Sequence, residues 1–488
     1  MLFNSVTFLF AFLPAVVLLY WLLRGNARLW LLMSASVIFY GFWRIEFVPL
    51  MLGSAIMDYF LAIAIDKRED PVKRKRLLWI SVVVNLGILG FFKYFLFFRN
   101  SIFSVAELMG FHPSFTMINI VLPLGISFYI FQTLSYTIDV YRRDIAPERS
   151  LLRYMTFVTF YPHLVAGPIM RPDILIPQLK DPAPFQASNM RKGIERILTG
   201  LFLKVVLADT IASFVDQGFA QNLGQLSAFD SWTLSFLFGF QIYFDFAGYS
   251  SIAIGSAMLM SIYVPENFNF PYAATSPREF WKRWHISLST WIRDYLYIPM
   301  MGRYRAPGHG AWDTLTEKAE TVSEAKRTRA LFLTWATMGL WHGANWTFVL
   351  WGLYHAVMIF LQRVLSPFVR LPGNVIGWAI SVAITLPLMM AAWVPFRARS
   401  LHDAFVIWGK MLDPRAYHGF SLAPNSYMLA AAITLAFFAT WAIREKLVPR
   451  FNAASLGLLT AKTAYMTVVI AIVFVMLEVK DQFIYFQF

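Results

Sequence analysis

Two histidines stand where an imidazole could do acid–base work. His342 lies in WATMGLWHGANWTFVLWGLYHA, residues 335–356. Gly339, Gly343 and Ala344 are small enough to let a backbone or a substrate approach closely. Trp341 and Trp346 supply rigid walls, and Asn345, three residues on, can share a polar patch with the imidazole. An imidazole that stays neutral in such a setting can accept a proton, as a general base must. The competing reading is a buried histidine hydrogen-bonded to a neighbouring helix, and the pattern alone does not separate the two. His285 lies in SPREFWKRWHISLSTWIRDYLYIPM, residues 276–300, flanked by Trp281, Trp284, Ile286 and Leu288. That is a poor setting for a merely solvated histidine. Ser276, Pro277 and Glu279 read as N-cap, first helical residue and an acid at the third position. The amphipathic, basic and aromatic pattern that follows predicts a helix lying along the cytoplasmic headgroups.

A third polar cluster is QIYFDFAGYSS, residues 241–251. Asp245 sits in an aromatic helix with Tyr249 four residues on, within hydrogen-bonding reach. The favoured reading is structural, with Asp245 holding a basic partner such as Arg283 or Lys282. The other histidines carry less. His112, His309, His402 and His418 fall in predicted loops, His163 marks a helix-breaking segment, and His355 in LYHAVMIFL reads as a packing residue. No GxSxG elbow, Walker loop or HExxH motif is present, and no His/carboxylate spacing suggests a metal site. GRYRAPGHG, 302–310, lacks the lysine and strand context of a phosphate cradle, and the alternating charges of 313–329 read as a solvated helix. With no cysteine, disulfides, thiolate metal sites and a thiol nucleophile are excluded.

These residues must be positioned inside a membrane. The chain of 488 residues is 58% hydrophobic and 14% charged, and its mean hydropathy is +0.55. A soluble globule has too thin a polar skin to hide this much apolar surface, and a disordered chain would need far less of it. Lys and Arg number 42 against 28 Asp and Glu, so the net charge is 42 − 28 = +14. In a membrane protein such an excess marks cytoplasmic loops rather than nucleic-acid binding. Apolar stretches at 5–23, 29–43, 47–65, 77–98, 118–141, 197–217, 231–262, 331–362 (as one span or two short helices), 374–396, 426–443 and 463–479 predict roughly eleven transmembrane helices. The first reads as a retained anchor, because its basic residues, Arg24 and Arg28, follow the apolar run. The basic loops 24–28, 66–76 and 142–153 fall on the inner side as a five-span count requires. Segment 154–196 turns from apolar to proline-rich and is predicted to be re-entrant or interfacial. The expected organisation is one transmembrane domain: N-terminal spans 1–153, a catalytic core 154–365 and C-terminal spans 366–488.

The longer motifs carry a resemblance. FYPHLVAGPIMRPDILIPQL, QIYFDFAGYSSIAIG, VPENFNFPY, EFWKRWHISLSTWIRDYLYIP and GLWHGANWTFVLWG together resemble the membrane-bound O-acyltransferases, and most nearly their bacterial alginate O-acetyltransferase branch. The resemblance runs from the opening MLFNSVTFLFAFLP to about residue 365. It implies that His342 is catalytic and that His285 is its partner across a narrow tunnel. One position departs: an acid is expected after the Gly-Tyr-Ser of the third cluster, where Ser251 stands. The implied fold is all-α, with re-entrant and interfacial helices ringing a central tunnel through a thinned membrane. The implied setting is the bacterial inner membrane. The implied donor is acetyl-CoA as a substrate, with no bound cofactor. The implied acceptor is an exported polysaccharide, or a periplasmic acetyltransferase partner that passes the group on.

On this reading His342 is the general base, and His285, Asn345 or a backbone N–H meets the oxyanion. Trp341 lines the substrate path, and Arg283, Arg293 and Lys282 meet the donor's phosphates. Two rivals stand beside it. A transporter could display Asp58, Asn85, Lys93 and Asp245 within spans, although Asp58 and Asn85 lie at depths where interhelical hydrogen bonding explains them better. A scaffold for a periplasmic acetyltransferase would do no chemistry itself.

Overall fold

The computed structural model describes residues 1–111, 120–302, 322–369, 371–448 and 456–477. His112, His309, nearly all of 302–310 and the part of 313–329 before residue 322 lie outside these. Among the described residues the regular structure is helical throughout. Among the described residues six helices are long and apolar enough to cross a membrane, where roughly eleven were expected of the chain: Ile45–Asp66, Pro71–Leu108, Ala187–Phe219, Trp346–Leu365, Val375–Arg397 and Pro424–Leu447. Phe8–Leu22 and Thr460–Met476 are shorter apolar helices.

The chain divides into two compact units. The first comprises Met1–Ile197 and Ala253–Pro265. In it, Val48–Asp66 packs with Pro71–Leu89 and Ile126–Arg142. The Asp58 carboxylate accepts hydrogen bonds from Ser81 Oγ at 2.5 Å and Asn85 Nδ2 at 2.7 Å. Interhelical bonding therefore accounts for this pair, since a buried carboxylate needs such donors. The proline-rich segment forms the helices Leu151–Thr159, Tyr161–Leu164 and Pro172–Lys180. Irregular backbone joins the last two, and residues 165–170 are buried. Gly167 is required there, because a β-carbon on it would lie 2.2 Å from the Pro162 carbonyl oxygen. A ring nitrogen of His163 lies 3.4 Å from the Val158 carbonyl oxygen, in keeping with its structural reading.

The second unit comprises Leu198–Ile252 and Glu266–Phe488, and it holds every residue singled out for chemistry. The expected span 331–362 is two helices, Glu324–His342 and Trp346–Leu365, each longer than half that span. They form an antiparallel hairpin, held open-ended by Arg363 Nη2 donating to Thr328 Oγ1 at 2.7 Å. Glycines let the two backbones touch. A β-carbon on Gly339 would sit 2.2 Å from the Phe348 carbonyl oxygen, and one on Gly352 would sit 2.1 Å from that of Trp335. The helix Val375–Arg397 runs antiparallel to the second arm, with Tyr354 Oη donating to the Leu388 carbonyl at 2.9 Å and Phe348 against Phe396 at 4.9 Å.

The segment 276–300 departs from the single helix expected. Its start is as the spacing predicts: Ser276 Oγ accepts from the Glu279 N–H at 3.2 Å, with Pro277 in the first turn. The helix then stops at Arg283 and a new one, Ile286–Ile292, begins after His285. His285 takes the left-handed conformation, φ 42° and ψ 55°, which a non-glycine residue adopts only when its surroundings enforce it.

Candidate active site

His342 ends the first arm of the hairpin, and Gly343 follows in extended backbone. Its ring is buried among three others, edge-on: Trp341 at 4.8 Å, Trp351 at 4.7 Å and Phe396 at 5.3 Å between centroids. The hairpin glycines set this position, because close backbones bring Trp351 beneath the histidine.

His285 is set by the break in its helix, and Asn267 holds the break in place. Asn267 belongs to VPENFNFPY and is fully buried. Its Oδ1 accepts from Ser287 N–H at 3.2 Å and Ser287 Oγ at 2.9 Å, while its Nδ2 donates to Ser250 Oγ at 3.2 Å. Its backbone carbonyl accepts from Ile286 N–H at 3.0 Å. The imidazole so placed is 0% exposed, with Phe246 at 4.5 Å and Trp341 at 6.2 Å. Neither of its ring nitrogens has a hydrogen-bond partner among the described residues. A buried polar group left unpaired is costly, so this imidazole, unpaired among the described residues, is a candidate to meet a ligand. Trp341 is the neighbour both histidines share.

The other residues have definite places. Asn345 caps the second arm, its Oδ1 accepting from the Thr347 N–H at 3.1 Å. That engages the amide oxygen and leaves the NH₂ as the group that could serve a ligand. Arg283 pairs with Glu279 at 2.8 Å and donates to the Asn269 carbonyl at 3.3 Å, so it locks its own helix. Lys282 is exposed. The partner of Asp245 is Lys204 rather than Arg283 or Lys282. The Lys204 ammonium lies 2.7 Å from Asp245 and 2.7 Å from Asp209. The reason is a close helix crossing: a β-carbon on Gly248 would be 2.7 Å from the Gly200 carbonyl oxygen and 2.9 Å from the backbone nitrogen of Lys204. A stretch of π-helix, Phe202–Ala208, carries Lys204 there. Its signal was a lone cation in the apolar run LTGLFLKVVLA. His355 accepts from Trp281 Nε1 at Nδ1, 3.3 Å, among three tryptophan rings.

A cavity of 440 Å³ opens at the far end of the hairpin. Trp281, Trp335 and Met338 form its buried wall, and Arg278, Arg293, Arg327 and Arg363 also line it. Asp294 pairs with Arg293 at 2.6 Å, and Glu324 serves both Arg327 at 2.7 Å and Arg363 at 3.6 Å. Among the described residues, four cations stand here against two carboxylates. Neither candidate histidine lines it. Met338 is four residues before His342, about 6 Å along a helix axis, so the cavity ends one turn short of the imidazole.

Among the described residues, then, the regular structure is helical, six helices can cross a membrane, and two buried imidazoles lie against one indole. A model of the membrane-bound O-acyltransferase family matches residues 142–312. The chain is 38% identical over 452 residues to a probable alginate O-acetylase of Pseudomonas putida, covering 90% of this chain and 87% of that one. It is 34% identical to the peptidoglycan O-acetyltransferase of Helicobacter pylori, covering 83% and 79%. It is 28% identical to the teichoic acid D-alanyltransferase of Bacillus subtilis, covering 60% and 72%. The chain belongs to the membrane-bound O-acyltransferase family and is a multi-pass membrane enzyme.

Proposed function

We propose that this enzyme moves an acetyl group from cytoplasmic acetyl-CoA to hydroxyls of an exported polysaccharide, directly or through a periplasmic partner enzyme, in the bacterial inner membrane. The relatives named for alginate and peptidoglycan O-acetylation support acetyl as the group and a glycan as its destination. The acceptor oxygen attacks the thioester carbonyl carbon as His342 takes the hydroxyl proton. The carbon–sulfur bond then breaks, and the departing thiolate takes the proton back from the imidazolium. A positioned base of this kind contributes about 10²–10⁴-fold. The oxyanion is met by a ring N–H of His285 or the free NH₂ of Asn345. Trp341 fixes the two imidazoles relative to each other. The donor's phosphates belong in the arginine-lined cavity, where Arg293 is joined by Arg278, Arg327 and Arg363. Arg283, committed to Glu279, is not among them.

The observation that carries this reading is His285: fully buried, unpaired at both ring nitrogens, and sharing one indole with His342. The test is His342→Ala in cells, with membrane levels matched and surface-glycan acetylation measured by mass spectrometry. Loss of acetylation is expected, and undiminished acetylation would end the assignment. His285→Ala should lower turnover of acetyl-CoA by purified protein while leaving the donor's KM nearly unchanged.

A further inference from the structure

Residues 267–269, the Asn-Phe-Asn of VPENFNFPY, form a strap across the break at His285. Before the break, Asn269 N–H donates to the Arg283 carbonyl at 2.9 Å. After it, the Asn267 carbonyl accepts from Ile286 N–H at 3.0 Å, and Asn267 Oδ1 accepts from Ser287 N–H at 3.2 Å. In an unbroken helix Ser287 N–H would donate to the Arg283 carbonyl, four residues back. The strap occupies both ends of that bond, one with a backbone amide and one with a side chain. Between the two asparagines, the Phe268 ring lies nearly parallel to the His285 imidazole, at 6.5 Å and 16°. The same three residues therefore break the helix and wall the ring that the break presents.

The side chain at 267 has to be an amide. A backbone N–H can only donate, so the atom facing Ser287 N–H is an oxygen, and the same oxygen takes the Ser287 hydroxyl at 2.9 Å. The nitrogen beside it donates to Ser250 Oγ at 3.2 Å, on the long helix Ala228–Met258. Acceptor and donor on one short side chain is what asparagine supplies. The residue so held is a poor choice for stability alone. A glycine would take the left-handed conformation at 285 without strain. An apolar side chain would spare two ring nitrogens that have no partner among the described residues. Strain of this kind persists where the surroundings over-determine the backbone, as at sites whose geometry is used.

We propose that Asn267 is a positioning residue for acyl transfer that acts through His285, its amide fixing the left-handed corner that holds the imidazole against the indole shared with His342. The proposal rests on the reading of His285 as part of the acetyl-transfer machinery. Purified full-length variants in lipid nanodiscs are assayed for acetyl-CoA turnover. Histidine-labelled samples give the carbon NMR shifts of His285, assigned by their absence from His285→Ala. Asn267→Ala should lower kcat by about 10²-fold, the effect of a misplacement of about 1 Å, with the donor's KM little changed. It should also move the His285 shifts away from their left-handed values. Asn267→Asp keeps the acceptors facing Ser287 and should recover part of both. In a His285→Ala background, Asn267→Ala should change kcat by less than about twofold, because residues acting through one ring are not additive. Ser250→Ala removes only the amide's anchor and leaves the strap's backbone bonds in place. It should show a smaller loss with the same dependence on His285, and it serves where Asn267→Ala fails to accumulate. Unmoved His285 shifts in Asn267→Ala, or equal losses of kcat with and without His285 in either variant, would overturn the proposal. Native kcat in His285→Ala would instead overturn the reading of His285 itself, and Asn267's part in the reaction with it, while moved shifts in Asn267→Ala would still show the strap's hold on the corner.

Discussion

His285 and His342 meet on a single indole, that of Trp341, with ring centroids 6.2 Å and 4.8 Å away. Neither histidine's position alone makes a site. One terminates a hairpin arm, the other sits in a strained corner held by Asn267, and the indole relates them.

Trp341 should therefore behave as a positioning residue. Trp341→Leu keeps the site apolar but removes the flat wall, and a misplacement of about 1 Å can cost about 10²-fold in rate. The expected result is a kcat for acetyl transfer lowered by about that factor, with the donor's KM little changed and partial recovery in Trp341→Phe. Turnover of acetyl-CoA by purified variants measures it. A rise in KM alone would place Trp341 in donor binding instead.

The Lys204 cluster should be a stability element. Lys204 is 2% exposed, Asp245 3% and Asp209 10%. Lys204→Met would leave two buried carboxylates facing each other. Breaking a buried pair by removing one partner costs about 3–5 kcal/mol, so the variant should accumulate poorly in membranes and melt well below the native protein in detergent. Lys204→Met combined with Asp245→Asn should recover part of the loss, because one uncompensated charge goes with it. Native-like melting of the single variant would refute the role.

Glu279 should make the corner before His285 sensitive to acid. Partial burial opposes its charge. The hydroxyl and backbone N–H of Thr275 and the guanidinium of Arg283 outweigh that burial and hold the carboxyl below its ordinary value. A carboxyl so lowered stabilises the fold above its unfolded value, near about 4.3, and loses that contribution as pH falls through the lowered one. At 28% side-chain exposure the contribution is modest, about 1 kcal/mol or less. Melting temperatures of the native chain and Glu279→Gln should differ most near neutral pH and converge below about pH 4. A gap that widens in acid would show that the sign is wrong.

Much of this was legible in the residues themselves. Composition dictated a membrane, because so much apolar surface has no other solvent. The run from Ser276 to Glu279 announced a helix start, since capping is a local matter of one side chain and the next turn's N–H groups. His285 and His342 stood out because an imidazole among tryptophans and glycines is costly unless it is used. The partners were a different matter. Nothing local links Asp245 to Lys204, forty-one positions earlier. The link exists because Gly200 and Gly248 let two backbones come closer than any side chain allows. The break at His285 was hidden because the segment's amphipathic period runs unbroken through it, while the force that breaks it comes from Asn267, which is adjacent only in space. The count of membrane-crossing helices likewise depends on where each helix starts and stops. Local chemistry could be read from the string of residues. Which groups face one another was decided by close packing between distant segments, whose energy exists only once the chain is folded.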